Sequence, residues 1–175
     1  RGLNFRAAVP VNLRQPTAKI KLGNNFGLVF PSLPVGISDP LKRLKVLKKR
    51  MDELKGSPEA MVTFGALHAA AIAPHEIQNV VIDFLGQKST AVMTNVPGPR
   101  EKIYLAGTPV RHQMFWVPQS GRVGMGISIL SYAGEVILGV ATDVGLVPDP
   151  EKIIEGFHEE FDDLITLTGI KPITN

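Results

Sequence analysis

Proton transfer and metal binding near neutral pH point first to histidine. The chain has four: His68, His75, His112 and His158. No two stand at metal-ligand spacing, and His-Glu-x-x-His is absent. Each reads as a surface or hydrogen-bonded core histidine. Gly-x-Ser-x-Gly is absent too, and Gly124-Met125-Gly126-Ile127-Ser128 does not place its serine on a strand-to-helix elbow. Gly121-Arg122-Val123-Gly124-Met125-Gly126 is glycine-rich, but a strand follows it. It therefore offers no helix N–H groups to a phosphate and reads as a flexible loop or a tight strand entry. With no cysteine, disulfides, Cys-ligated metals and a thiol nucleophile are excluded.

Two features remain. Asn95-Val96-Pro97-Gly98-Pro99 ends an apolar run with prolines around a glycine, which fixes a rigid exit from a strand. It reads as a structural turn or as a stiff wall beside a site. The other is charge. Seven of the 19 basic residues lie between Lys42 and Lys55, and eight of the 16 acidic ones between Asp143 and Asp163. Lys42, Arg43, Lys45, Lys49 and Arg50 fall opposite Leu41, Leu44, Leu47, Met51 and Leu54 on a helix. That basic face is a solvated surface or a contact for an anionic partner: CoA phosphates, anionic lipid or another protein. The net charge of +3 does not by itself imply nucleic acid.

These features need elements to carry them. At 175 residues, 44% hydrophobic and 20% charged, the chain fits one domain, 1–175, with a real core. No apolar run approaches the roughly 18 residues that span a bilayer. Leu3 to Leu13 reads as a strand, and a domain rarely starts inside one, so its partner strands are expected elsewhere. Gly23-Asn24-Asn25 is a turn signal. Phe26 to Leu33 is a short strand, with Pro31 at an edge or bulge. Asp39-Pro40, Ser57-Pro58 and Asp149-Pro150 each place a capping residue before a proline at the first helical position. Helices follow to Lys55, from Pro58 to Ala71, from Pro74 to Leu85 and from Pro150 to Leu167. Strands are predicted at Thr90–Val96, Ile103–Leu105, Val110–Val117, Gly126–Tyr132 and Val136–Thr142. Ala133-Gly134 is a hairpin turn. The mixture gives an α/β or α+β class: a two-layer mixed sheet with helices on one face.

Five segments together are more specific than any one. They are Ala8-Val9-Pro10-Val11-Asn12-Leu13-Arg14; Leu22-Gly23-Asn24; Asp39-Pro40-Leu41-Lys42-Arg43-Leu44; Thr94-Asn95-Val96-Pro97-Gly98-Pro99 followed by Leu105-Ala106-Gly107; and Leu130-Ser131-Tyr132-Ala133-Gly134. In order and spacing the chain resembles the C-terminal half of the bifunctional wax ester synthase/diacylglycerol acyltransferases. The resemblance implies a half-domain like those of chloramphenicol acetyltransferase, with the catalytic N-terminal half outside this chain. It implies a tunnel between the halves, acyl-CoA as substrate with no bound cofactor, and a fatty alcohol or diacylglycerol as acceptor. It implies a cytoplasmic protein peripheral to membrane or lipid droplets, with no nucleic-acid partner. The family's base lies in a His-His-x-x-x-Asp-Gly motif. No His-His pair occurs here, so this half is expected to complete the tunnel and to be inactive alone. Asn95, Pro97, Gly98, Ser128 and Ser131 are the expected tunnel residues. Ser128 stands where relatives carry an asparagine, on the face of its strand opposite Ser131. The alternative is a binding or interaction module that kept this fold without the chemistry.

Overall fold

The computed structural model describes residues 5–14, 23, 25–119 and 123–169. Asn24, Gly121 and Arg122, named above in turn and loop signals, lie outside them, as do Leu3, Asn4 and Leu22.

The described elements are β1 (Phe5–Asn12), β2 (Phe26–Val29), β3 (Ser32–Leu33), α1 (Pro40–Lys55), α2 (Glu59–Ala71), α3 (His75–Gln87), β4 (Ala91–Pro97), β5 (Tyr104–Leu105), β6 (Thr108–Pro109), β7 (Met125–Tyr132), β8 (Glu135–Thr142) and α4 (Glu151–Thr168). The main sheet runs β2-β1-β4-β7-β8. β4 is parallel to both β1 and β7, and β8 returns antiparallel to β7. β2 and β3 run antiparallel to β1, broken at Phe30-Pro31, where the Ala7 N–H donates to the Pro31 carbonyl (3.2 Å). Proline interrupts the run here, as expected of a residue without a ladder donor. The result is a mixed sheet with four helices, the α/β class read from the sequence.

The centre of the sheet is built from small side chains. Ala7, Ala8 and Ala91 are buried where β1 meets β4; Val29 on β2 and, further along β7, Leu130 and Tyr132 are buried as well. The β7–β8 turn is the one expected: Ala133 and Gly134 take φ of 48° and 90°, the paired positive values of a tight hairpin.

Helix starts follow the capping rule unevenly. Asp39 Oδ1 accepts the Lys42 N–H at 2.7 Å and caps α1. Ser57 Oγ, two residues ahead of the first residue of α2, accepts the Glu59 N–H (3.3 Å). Asp149 does not cap α4. Its carboxylate pairs with the Lys152 ammonium (2.5 Å) instead, and Pro150 already has helical dihedrals.

One expected strand is absent. Val110–Val117 forms no ladder; only Thr108–Pro109 pairs, with Tyr104–Leu105. The segment lies across the β7–β8 surface, not beside it. The Ser128 hydroxyl donates to the Phe115 carbonyl (2.5 Å) and lies 3.3 Å from the Gly139 carbonyl. The Gln119 amide donates to the Ala141 carbonyl (2.7 Å). The Tyr132 hydroxyl donates to the Val110 carbonyl (2.7 Å) and accepts the Ile103 N–H (3.0 Å). Residues 110–119 are thus a strap tied to the sheet through the Ser128, Tyr132 and Gln119 side chains, while the Val110 N–H donates to the Ile103 carbonyl (2.9 Å). The sheet is shaved to receive it: a Cβ at Gly139 would fall 3.2 Å from the Phe115 oxygen, and one at Gly126 3.3 Å from the Val117 oxygen.

Candidate functional site

β1 and β4 share a ladder only at Ala7↔Ala91 and Ala8↔Val92. Beyond that, β1 stays with β2 through Asn12 and β4 stays with β7 through Pro97. The two parallel strands part company, and their sequences give the reason. The Arg6 carbonyl accepts the Thr90 N–H (2.8 Å), whereas the Ala7 N–H faces the other way, to Pro31. Even-numbered residues of β1 therefore turn their backbone groups toward β4. The second even position after Arg6 is Pro10, which has no N–H to give. The ladder stops there and a fork opens.

The fork holds a cavity of about 730 Å³, within the range of small-molecule sites, about 300–1,000 Å³. Pro10 and Asn12 line it from β1, Phe26 and Leu28 from β2, and Val92 and Thr94 to Pro97 from β4. Phe115, Val117 and Pro118 of the strap close it, and Arg14 and Asn25 reach it from the β1–β2 connection. The wall is mostly apolar, with Asn12, Arg14, Asn25, Thr94 and Asn95 as its polar side chains. Among the described residues, no histidine, aspartate or glutamate lines it. It can hold an alkyl chain and offer amide and guanidinium hydrogen bonds, but none of its side chains is suited to take a proton at neutral pH.

The expected tunnel residues divide. Asn95 and Pro97 line the cavity. Gly98 is next in the chain to Pro97 but is not part of the lining; its N–H donates to the Ser131 carbonyl at 2.8 Å. Ser131 is half-buried and lies on the opposite face of β7 from Ser128. Ser128 is 3% exposed and does not line the cavity. Its hydroxyl holds the strap, so it acts on the wall from behind. Pro10, Thr94, Phe115 and Val117 were not singled out by sequence. A proline in the middle of the β1 run was the signal available for the first.

The expected basic face also divides. Lys42, Lys45 and Lys49 are exposed. Arg43 and Arg50 do not join them. Arg43 turns back to the Ile37 carbonyl (2.6 Å) and to Glu160 of α4, and Arg50 donates to the Ser32 carbonyl (2.6 Å). Both guanidiniums bind neighbouring structure, for which a fork of donors suits arginine better than lysine. The lysine strip is itself partly neutralised. Lys48 pairs with Asp52 (2.5 Å), Lys55 with Asp52 (3.7 Å) and Lys49 with Glu53 (3.9 Å). The Lys48 hydrogen bond, with Lys55 beside it, holds the Asp52 carboxyl below its ordinary pKa.

The histidines stay outside the cavity lining. His112 Nδ1 lies 3.4 Å from the Glu135 carboxylate on the surface. His68 and His158 rest against Phe64 and Phe157.

Residues 22–165 match the WS/DGAT C-terminal domain. The chain belongs to that family. A probable diacylglycerol O-acyltransferase of Mycobacterium tuberculosis is 25% identical to the WS/DGAT C-terminal domain described here, over 98% of this chain and 38% of its own length. Wax ester synthase/diacylglycerol acyltransferase 7 of Arabidopsis thaliana is 31% identical over 90% of this chain and 36% of its own. The chain thus spans little more than a third of these relatives. The wax ester synthase/diacylglycerol acyltransferase structure from Marinobacter aquaeolei VT8 superposes with a TM-score of 0.64 at 20% identity, over 95% of this chain and 37% of that one. It shares the fold.

Proposed function

We propose that this domain is the C-terminal half of an O-acyltransferase. The complete protein would transfer a fatty acyl group from acyl-CoA to a long-chain alcohol or diacylglycerol. The half described here would supply a wall of the substrate tunnel. The observation that carries this reading is the fork between β1 and β4: an apolar cavity with a few amide groups and no acid–base side chain.

In this reading a base in the N-terminal half takes the proton of the acceptor hydroxyl. The hydroxyl oxygen bonds to the thioester carbonyl carbon, the C–S bond breaks, and CoA leaves as the thiol. The cavity holds an alkyl chain in place. Asn95 and Pro97 contact it, and Gly98, Ser128 and Ser131 fix the strands and strap around them. Positioning alone is a large part of such a reaction, since a wall misplaced by about 1 Å costs on the order of 100-fold in rate.

Among the described residues no helix is long and apolar enough to cross a membrane. We place the complete protein in the cytoplasm, against a membrane or lipid-droplet surface where its water-insoluble substrates collect. Lys42, Lys45 and Lys49 are the side chains of α1 that would meet anionic lipid. The decisive assay is CoA release from palmitoyl-CoA with hexadecanol or a diacylglycerol. The full-length protein should turn over. Purified 1–175, checked for folding by circular dichroism, should not. A full-length protein inert toward every acyl-CoA and acceptor pair would sink the proposal.

A further inference from the structure

α2 buries Ala60, Thr63 and Ala70 and leaves a long apolar face exposed. On its inward side the Thr63 hydroxyl accepts the Leu28 N–H (2.8 Å) and donates to the Leu28 carbonyl (2.7 Å), and a Glu59 carboxylate oxygen accepts the Phe30 N–H (3.1 Å). These bonds close the free edge of β2, which would otherwise be open to pairing. Its outward side is Met61, Val62, Gly65, Ala66, Ala69 and Ile72, all exposed, with Val62 at 66% and Ile72 at 84%. His68 is the one polar side chain among them. A helix on the surface of a water-soluble domain carries charge on its outer face, and a contiguous exposed apolar face marks an interaction site.

We propose that the outer face of α2 is the docking surface for the N-terminal portion of the full-length protein. This rests on membership of a C-terminal domain family and not on the acyl-transfer reading. Relatives carry well over half their length outside the region matched here, the chain covering 38% of one and 36% of another, so a larger body of the same polypeptide needs a surface to sit on. Charge argues against an anionic lipid surface. From Gly56 to Gln87 there is no lysine or arginine, and Glu59, Glu76 and Asp83 are acidic. An anionic bilayer finds no cation there to hold it. Gly65, Ala66 and Ala69 let a partner approach the helix backbone closely. The position fits as well. α2 sits on β2, whose Phe26 and Leu28 line the cavity, so whatever covers α2 stands next to the site.

The test is thiol accessibility in the full-length protein, without lipid. Ala66→Cys and Ala69→Cys are compared with Lys48→Cys on the exposed face of α1, with maleimide labelling read by peptide mass spectrometry. The α2 positions should label roughly 100-fold more slowly than the control and reach its rate in denaturant, as expected for a surface exposed only by opening. Labelling at the control rate overturns the proposal. So does protection that vanishes on dilution, which would assign the face to a second copy. Protection that appears only with added phosphatidylcholine or phosphatidylglycerol vesicles also overturns it, in favour of a lipid surface. Because labelling needs no turnover, a protected α2 in an inactive protein would support this inference while removing the acyl-transfer reading.

Discussion

The Gly98 N–H donates to the Ser131 carbonyl at 2.8 Å, tying the exit of β4 to the far end of β7. The approach leaves no room for a side chain, since a Cβ at Gly98 would fall well inside contact distance of the Ser131 oxygen and 3.3 Å from Leu130 Cδ1. Glycine is needed here for space rather than for an unusual dihedral. Pro97 and Pro99 stiffen both sides, so the strain of any larger residue passes into the cavity wall that Pro97 forms.

Gly98→Val should therefore cost about 1–3 kcal/mol of stability through overpacking. Activity of the full-length protein should fall by on the order of 100-fold through displacement of the wall. Thermal unfolding and kcat measured on the same sample check both. Unchanged turnover would remove this loop from the site.

Tyr132→Phe removes a buried hydroxyl that serves two backbone groups, the Val110 carbonyl and the Ile103 N–H. Tyr132 is 1% exposed, so water cannot readily replace it. Leaving those groups without a partner should cost about 1–3 kcal/mol, seen as a lower urea midpoint with an unchanged slope. An unshifted midpoint would mean that the strap is held by its other contacts alone.

Much of this fold could be read from residue order. The helices, the hairpin turn at Ala133-Gly134 and the central strands follow from periodicity and turn chemistry, each of which is local. What could not be read depends on where a segment lands. Val110–Val117 has the composition of a strand, yet it crosses the sheet because Gly126, Ser128 and Gly139, distant in sequence, leave a trough there. Arg43 and Arg50 lie on the basic side of α1 in projection. Their carbonyl partners at Ile37 and Ser32 come from neighbouring segments that a helical projection does not contain. The cavity is the same kind of case. Asn95 and Pro97 were legible as a stiff strand exit. The fork that makes them a wall depends on how Pro10 lines up with β4.

The two kinds of basic residue on α1 should respond differently to substitution. Arg43→Ala loses bonds to Ile37 and Glu160 and should cost about 1–2 kcal/mol, hydrogen bonds from charged groups being stronger than average. Lys45→Ala should stay within about 0.5 kcal/mol, as exposed surface changes do. Charge reversal at Lys45 and Lys49 then isolates the surface role. Weaker binding of the full-length protein to anionic vesicles, with an unchanged KM for acyl-CoA, supports lipid contact. A raised KM with normal vesicle binding assigns the strip to CoA phosphates, and no change in either leaves it a solvated face.

Pro10→Val tests the origin of the cavity. Valine suits a strand and restores an N–H at a position turned toward β4. The register Ala8↔Val92 puts residue 10 opposite Thr94, so a restored N–H there would face the Met93 carbonyl of β4. One more rung would draw β1 and β4 together where they now part. The domain should be as stable as before or more so, because a strand interior gains a bond and loses a ladder breaker. Activity should move the other way, with kcat/KM of the full-length protein falling on the order of 10- to 100-fold as the fork narrows. That opposition separates the prediction from ordinary damage, which lowers both together. A Pro10→Val protein with full activity and a raised melting temperature would show that the fork is not where substrate sits. Loss of both would show that Pro10 supports the strand rather than opening it.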